Sequence, residues 1–356
     1  MTSSLLQRLG IALPIIQGPM TGSDTPALAA AVSSAGGLGM LGCGMRSPAA
    51  MAEAAAAVRQ QTDRPFGMNL FVQATPNPDE ATVQAAMERL APLYAELGLQ
   101  PQRPTQWCED FAAQFEALVA LRPAVASFTF GILDAAQVQR LHSAGCTVIG
   151  TATTVPEALA WAEVGADAVC ASGLEAGGHR GTFLGDFTAA QVGTLALVPQ
   201  CVDALAPQGV AVIAAGGIMD GRGMAAAQAL GAQAVQMGTA FLACPESGIG
   251  PAYRAALARA DATQTRITRS FSGRPARGIT NAMMARLQPL EHTWPAYPVH
   301  NALMGPVRRA AAEADDSDYL ALWAGQGVAA ARALPAAALV QELVREWHAA
   351  RLRIAV

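Results

Sequence analysis

The chain has 356 residues and a net charge of −4, with 52% hydrophobic and 14% charged residues. This composition indicates a folded protein with a large core rather than a disordered chain, and the small negative charge argues against a nucleic-acid or anionic-membrane partner. The first ten residues are too polar for a signal peptide, and no apolar run reaches the roughly 18 residues of a membrane span, so we expect a cytoplasmic protein. Six scattered cysteines without a Cys-x-x-Cys pair predict reduced thiols and no metal site.

Short apolar runs bounded by glycine or proline alternate with longer alanine-rich stretches. This alternation is typical of βαβ units, which build parallel sheets. Eight such runs favour a closed (β/α)8 TIM barrel over an open doubly wound sheet, and their continuous apolarity agrees because parallel strands are buried on both faces. The predicted strands are Ile15–Gln17, Gly39–Leu41, Phe66–Leu70, Val125–Phe128, Thr147–Gly150, Ala168–Ala171, Val210–Ala214 and Ala234–Met237.

Helix boundaries are marked by capping residues and glycines. Ser47-Pro48, Val155-Pro156 and Asp220-Gly221 each predict a helix start. In the first pair, Ser47 supplies a polar cap and Pro48 suits the first helical position. Gly165 and Gly231 stand just before predicted strands and predict the ends of the second and third of these helices.

Two stretches are too long to be simple connections between a strand and a helix. Both follow strand ends at the face where barrels carry their active sites, so we expect them to form a mainly helical cap. The predicted division is a barrel core of 1–73 and 124–244, cap insertions of 74–123 and 245–305, and C-terminal helices in 306–356 packed on the barrel.

Glycine-bearing loops follow the seventh and eighth predicted strands. Gly216 and Gly217 follow the seventh strand, and Gly238 and Thr239 follow the eighth. In barrels these two loops commonly bind a phosphate through backbone N–H groups, and glycine lets the backbone approach the phosphate closely. The alternative is a pair of tight turns without a ligand. Their occurrence in consecutive units favours phosphate binding.

The glycine-flanked loop after the sixth strand contains His179, a candidate general base because imidazole accepts a proton near neutral pH. The alternative is a surface histidine in a mobile loop. His142 and His348 lie in predicted helices and are expected to be solvated. His292 and His300 lie in the second insertion and are possible substrate contacts.

The turn after the first strand and Asn69 in the third strand would meet at the barrel mouth, where they could face a flat ligand. Taken singly, an asparagine after a strand is usually a turn residue and a methionine is usually core packing.

Several segments together resemble the FMN-dependent nitronate monooxygenases, formerly called 2-nitropropane dioxygenases. They are Pro14–Met20, Ala35–Gly39, Glu175–Gly181, Ala215–Ile218, Gly238–Leu242 and Ser272–Gly278.

The resemblance implies an FMN-dependent oxidoreductase that oxidises alkyl nitronates or nitroalkanes with dioxygen to carbonyl compounds and nitrite. It implies that His179 is the catalytic base and that Tyr297 lies near the substrate, and Arg180 is a candidate to hold an anionic substrate. Relatives often carry glutamine where this chain has Ser172. The resemblance therefore implies a changed hydrogen bond to the flavin at this position, with a larger effect on the flavin's properties than on its binding. The implied FMN-binding residues are Gln17, Gly18, Pro19, Met20, Asn69, Ser172, Gly177, Gly178, Gly216, Gly217, Gln236, Met237, Gly238 and Thr239.

Two other functions stay open from the sequence. The glycine loops are shared with related flavin barrels, so an NAD(P)H-dependent FMN reductase of a quinone or an enoyl thioester is the main alternative. A non-catalytic ligand-binding barrel is the second, supported only by Ser172. The sequence leaves the oligomeric state undetermined.

Overall fold

Eight parallel strands form the centre of the molecule in the computed structural model, which describes residues 4–354. All eight predicted strands are confirmed, with ends that differ from the prediction by at most two residues. The strands are β1 (Ile15–Gln17), β2 (Gly39–Gly42), β3 (Phe66–Phe71), β4 (Val125–Thr129), β5 (Thr147–Ala152), β6 (Ala168–Ser172), β8 (Ala211–Ala215) and β9 (Ala234–Met237), and β7 (Gly178–His179) lies outside this sheet.

The sheet runs in the order β1-β9-β8-β6-β5-β4-β3-β2. A parallel bridge between Ile16 and Leu38 joins β1 to the start of β2, and the Gln17 N–H donates to the Leu38 carbonyl at 2.9 Å. The first and last strands therefore meet, which confirms the predicted barrel. Ile16, Met40 and Ile213 are fully buried among the side chains that fill its interior.

Helices alternate with the barrel strands. Ser47 caps a helix as predicted, since its hydroxyl oxygen accepts from Ala50 N–H at 3.2 Å. The helix predicted to start at Val155-Pro156 is capped by Thr154, a residue outside that prediction, whose hydroxyl oxygen accepts from Glu157 N–H at 3.4 Å. Gly165 and Gly231 both have φ near +95° just past a helix end, a backbone conformation that suits glycine. The helices are α1 (Ser4–Leu9), α2 (Pro26–Ser34), α3 (Pro48–Arg59), α4 (Glu80–Glu96), α5 (Phe111–Leu121), α6 (Ala135–Ser143), α7 (Val155–Glu163), α8 (Thr194–Leu205), α9 (Gly221–Ala229), α10 (Thr239–Leu242), α11 (Pro251–Arg259), α12 (Ala282–Leu287), α13 (Val299–Leu303), α14 (Gly305–Glu313) and α15 (Ala336–Ile354).

A second apolar cluster lies above the carboxyl ends of the barrel strands. Leu90 and Tyr94 of α4 pack there with Met284 of α12, Leu303 of α13 and Val307 of α14. The two insertions thus share one core, which we call the cap. By contrast, α5 packs on α3 and β3, and α15 packs on α2 and α9 of the barrel.

The cap contains a small antiparallel sheet as well as helices. Strands β10 (Thr265–Thr268) and β11 (Ala276–Ile279) pair with each other, and β11 also pairs with β7. In this pairing His179 stands opposite Ala276. The sequence pattern did not predict this sheet, because β7 has only two residues and its partners lie almost 100 residues away. Within residues 4–354, no helix is long and apolar enough to cross a membrane.

Candidate active site

A cavity of about 480 Å³ lies between the carboxyl ends of the barrel strands and the cap. It is the place where most of the predicted site residues meet. The predicted residues that line it are Gly18, Pro19, Met20, Asn69, Ser172, Gly177, Gly178, His179, Gly216, Gly217, Gln236, Met237, Gly238, Thr239 and Tyr297.

Gln17 is the predicted site residue that does not line the cavity. Its side chain is completely buried. The amide oxygen accepts from Met40 N–H at 3.0 Å, and the amide nitrogen donates to the Gly18 carbonyl. Gln17 therefore supports the Gly18–Met20 turn from inside the barrel, since its side chain points into the core at the last residue of β1.

The two glycine loops form one wall of the cavity. Gly216 has φ +115° and Gly217 has φ +70°, conformations that glycine adopts without strain. Their backbone N–H groups donate to no group in the described part of the chain, so both are available to a ligand. The carbonyl of Gly216 accepts from the Thr194 hydroxyl at 3.0 Å, and Glu175 accepts from the Thr194 N–H at 2.8 Å. These bonds fix the first loop.

The second loop is equally open. A Cβ at Gly238 would find its nearest neighbour, the Met20 sulfur, 3.6 Å away. The absence of a side chain at this position is therefore not required by packing within the protein. Thr239 is tied to the chain through its hydroxyl oxygen, which accepts from the Gly325 N–H at 3.0 Å. The loop thus presents bare backbone to the cavity from a fixed position.

Asn69 lies between these loops and the cap, at 2% exposure in β3. Its amide nitrogen donates to Ser127 Oγ at 2.9 Å and contacts Thr129 Oγ1 at 3.4 Å in the neighbouring strand. These bonds orient the amide, and its oxygen has no hydrogen bond within residues 4–354. Asn69 can therefore accept a hydrogen bond from a ligand in the cavity.

His179 lies on the opposite side, where β7 joins the cap sheet. Its Nε2 is 2.8 Å from the Ser272 hydroxyl. The ring is surrounded by Phe130, Tyr297 and Trp323, with centroid separations of 5.6, 5.5 and 5.2 Å. The serine orients the imidazole, and the aromatic rings reduce the access of water to it.

Burial, together with the positive charges of Arg274 and Arg308, lowers the pKa of His179 to about 3. The imidazole is therefore neutral at neutral pH and keeps a lone pair that can accept a proton. A neutral imidazole can accept a proton from a carbon acid, but a pKa this far below neutral pH makes His179 a weak base while the cavity is empty.

The cap side also contains aromatic residues that the sequence did not single out. Phe130 has φ +79°, an uncommon conformation for a residue with a side chain. Its ring packs 4.3 Å from Phe71 and 5.3 Å from Tyr297, and the Arg274 guanidinium lies 4.0 Å from its centre. Phe71 and Phe130 stand at the ends of β3 and β4, so strand-end position was the one signal that could have found them. Burial raises the pKa of Tyr297 to about 12, so it stays a neutral phenol.

Several residues that the sequence suggested as functional or solvated lie elsewhere. Arg180 is 2% exposed and donates to the carbonyls of Gly173 at 2.6 Å and Ala190 at 3.4 Å, so it braces a loop outside the cavity lining. It is neither solvated nor placed to hold a substrate. His142 is bonded to Asp167 at 2.9 Å rather than freely solvated.

The two other cap histidines do not line the cavity. His300 is fully buried, with Nε2 2.8 Å from the Ser270 carbonyl and its ring stacked on Trp294 at 4.5 Å. His292 is exposed. Neither therefore contacts a molecule bound beside His179. Within residues 4–354, no group of three or more His, Cys, Asp or Glu side chains could hold a metal ion.

Comparisons with known proteins agree with this site. The family description "Nitronate monooxygenase" matches residues 2–346. A nitronate monooxygenase of Pseudomonas aeruginosa is 45% identical over 354 residues, covering 97% of this chain and 99% of the relative. The structure of nitroalkane oxidase from Streptomyces ansochromogenes has a TM-score of 0.91 at 40% identity, covering 99% of this chain and 100% of that one. FabK from Thermotoga maritima has a TM-score of 0.77 at 30% identity, with full coverage of both chains.

Proposed function

Because this chain belongs to the nitronate monooxygenase family, a family of flavoenzymes, we propose that it is an FMN-dependent oxidoreductase that converts alkyl nitronates, or the parent nitroalkanes, to carbonyl compounds and nitrite with dioxygen as oxidant. One observation carries the proposal. A neutral, oriented His179 and two glycine loops with free backbone N–H groups open onto the same cavity.

The residues of the cavity fit FMN. A phosphate suits the wall made by Gly216, Gly217 and Gly238, with Thr239 beside them, because backbone N–H groups of the glycines have no partner within residues 4–354 and can donate to its oxygens. At Gly238 no protein atom lies closer than 3.6 Å to where a Cβ would stand, so the backbone there is open to a ligand. The flat ring would lie along the turn after β1, the Asn69 amide and the backbone at Gly177. When bound, FMN supplies the acceptance of two electrons from the substrate and their transfer to dioxygen.

His179 takes the proton in the proposed reaction. In a nitroalkane, the C–H bond beside the nitro group breaks, its proton goes to the imidazole, and the electron pair spreads onto the nitro oxygens to form the nitronate. Ser272 holds the ring in place for this transfer. A substrate supplied as a nitronate has already lost that proton, so His179 is then required only for orientation.

The aromatic residues around His179 complete the site. Phe130, Tyr297 and Trp323 surround the imidazole and give the pocket beside it an apolar lining. Ser172 also lines the cavity. Its short side chain replaces a longer glutamine of relatives, so we propose that it affects the flavin's environment rather than its binding.

The test is aerobic turnover of an alkyl nitronate by the purified, FMN-loaded protein, followed by oxygen consumption and nitrite release. We expect both, together with the carbonyl product. A flavin-containing protein that releases no nitrite but oxidises NADH in the presence of a quinone or an enoyl thioester would contradict the proposal and favour the reductase alternative. A protein that does not take up FMN would contradict both.

A further inference from the structure

Arg308 is the positively charged side chain that lines the cavity in the described part of the chain. We propose that Arg308 binds the negatively charged oxygen atoms of the substrate and thereby selects nitronate anions, and the nitronate-like charge that develops on a nitroalkane, over neutral compounds. This inference rests on the proposed function for the identity of the substrate. The position of the arginine does not depend on that function.

Arg308 lies on α14 and lines the cavity beside Tyr297 and Asn301. Its Nη2 donates to the Asn301 carbonyl at 2.9 Å, and Nη1 contacts the Phe271 carbonyl at 3.4 Å. Two backbone oxygens therefore hold the guanidinium in a fixed place without neutralising it. The remaining donors of the planar group are free to bind a ligand.

No carboxylate balances this charge. Arg308 forms no ion pair within residues 4–354. Asp315 lines the same cavity, but its carboxylate accepts from the Ala252 N–H at 2.7 Å. Burial lowers the pKa of Arg308 to about 10, so the group stays charged at neutral pH. Arg308 is half-buried and has no negatively charged partner within residues 4–354. A cation held partly away from water without a counterion is unfavourable, and an anion in the cavity would relieve that cost.

The other cations near His179 do not face the cavity. Arg274 stacks on Phe130 and donates to the carbonyls of Arg180 and Thr182, and Arg180 itself is in the core. The sequence contains no lysine. Within the described chain, Arg308 is thus the one arginine among the lining residues.

The anion is that of the substrate rather than the cofactor phosphate. The guanidinium lies on the cap side of the cavity, because it is bonded to the Asn301 carbonyl at 2.9 Å and contacts the Phe271 carbonyl at 3.4 Å. Its charge acts from there on the pKa values of both His179 and Tyr297. The free N–H groups suited to a phosphate lie on the glycine loops. A substrate whose C–H faces His179 would place its nitro oxygens within the field of Arg308, and the negative charge that forms there during proton loss would be stabilised.

The same placement gives a second consequence. Because the positive charge of Arg308 lowers the pKa of His179, an anion bound to Arg308 offsets part of that effect. His179 then becomes a stronger base when the substrate is present than when the cavity is empty. Removal of the Arg308 charge should likewise raise the pKa of His179, which a pH profile of nitroalkane oxidation would detect.

The experiment compares the FMN-loaded wild type with Arg308→Met and Arg308→Gln, which remove the charge, and Arg308→Lys, which keeps it. Arg309→Met is the matched control, since Arg309 is the adjacent exposed arginine. Sodium nitrate, a planar anion with nitro-like oxygens, is titrated against the visible spectrum of the flavin, and KM is measured for a nitronate. We expect both charge-free variants to raise the nitrate Kd and the nitronate KM roughly 10- to 100-fold. Arg308→Lys should recover part of this loss, and Arg309→Met should change little.

Unchanged nitrate Kd and nitronate KM in the charge-free variants would overturn the inference. In the wild type, nitrate should also inhibit nitronate oxidation competitively, a test that depends on no variant's folding, and an absence of competition would overturn it too. A wild type that binds nitrate through Arg308 but releases no nitrite from a nitronate would contradict the proposed function and leave the anion site standing.

Discussion

The two walls of the cavity present different chemical groups to a ligand. The barrel wall is made of backbone, with glycines after β8 and β9 whose N–H groups and missing side chains leave space for a ligand. The cap wall is made of side chains, namely His179, Tyr297, Arg308 and the aromatic rings around them. Under the proposed function, the barrel wall would bind the cofactor, and the cap wall would provide the catalytic base and select the substrate.

This division has a physical basis. Barrel strands end at fixed places, so loops after successive strands are held rigidly and can meet a constant group such as a phosphate. The cap has its own apolar core and reaches the site through β7 and α14. Its side chains can therefore change with the substrate while the barrel wall stays the same. Substitutions on the two walls should accordingly have separable effects.

The largest expected effect is on the cap wall. His179→Ala should reduce kcat/KM for a nitroalkane by about 10²- to 10⁴-fold, because a positioned general base contributes that much, and should leave the FMN content unchanged. Steady-state oxygen consumption and the visible spectrum of the purified variant check both statements. Wild-type nitroalkane activity in His179→Ala would contradict the assignment of His179 as the base. A loss of FMN in this variant would show that the cap wall also affects cofactor binding.

Acid should destabilise the cap through His300, whose pKa burial lowers from 6.5 to about 4. The unfolded chain binds a proton near pH 6.5 and the folded chain only near pH 4, so the free energy of unfolding falls as the pH drops through this window, by about 3 kcal/mol at most. Thermal unfolding between pH 7 and pH 4 would measure it.

The matched variants are His300→Gln, which removes the titrating group, and His292→Gln at an exposed position of the same cap. The pH dependence of unfolding should be weaker in His300→Gln than in His292→Gln. It does not vanish, because the lowered pKa of His179 keeps part of it in both variants. Equal pH dependence in both variants would show that His300 does not titrate in this window.

On the barrel wall, Gly238→Ala should weaken FMN binding roughly 10-fold, because a Cβ on a bare backbone loop displaces one charge-assisted hydrogen bond to the phosphate. The fold should tolerate it, since the nearest protein atom is 3.6 Å from the added carbon. Gly305→Ala is the control, because its added carbon also has 3.6 Å of space but lies outside the cavity lining. FMN affinity, measured by fluorescence titration, distinguishes the two variants. Equal affinities in Gly238→Ala and Gly305→Ala would contradict the assignment of the phosphate to the loop after β9.

The smallest expected effect is that of Ser172→Gln at the end of β6. A longer amide could restore one hydrogen bond to the flavin, so we expect FMN affinity to rise about two- to fivefold and the flavin absorption bands to shift. The activity should stay within the same range. An unchanged spectrum and affinity would mean that residue 172 does not contact the flavin.

The barrel wall was largely predictable from the sequence, whereas the cap wall was not. Apolar runs and terminal glycines locate the strands and the loops after them, since these features depend on local sequence. Arg308 reaches the cavity only because a distant segment folds over the barrel, and nothing local marks it, whereas Phe130 had one local signal, its position just after β4. Arg180, conversely, stands beside His179 in sequence, yet it points into the core because neighbouring residues of a strand face opposite sides.

The most direct test of the account is an anaerobic challenge of the FMN-loaded protein with a nitronate and, in parallel, with NADH, followed by the visible absorbance of the flavin. With a neutral His179 and a cationic Arg308 lining the cavity, the proposed function predicts rapid bleaching by the nitronate and none of comparable rate by NADH. Rapid bleaching by NADH, with the nitronate leaving the flavin oxidised, would contradict the assignment of this site to nitronate oxidation.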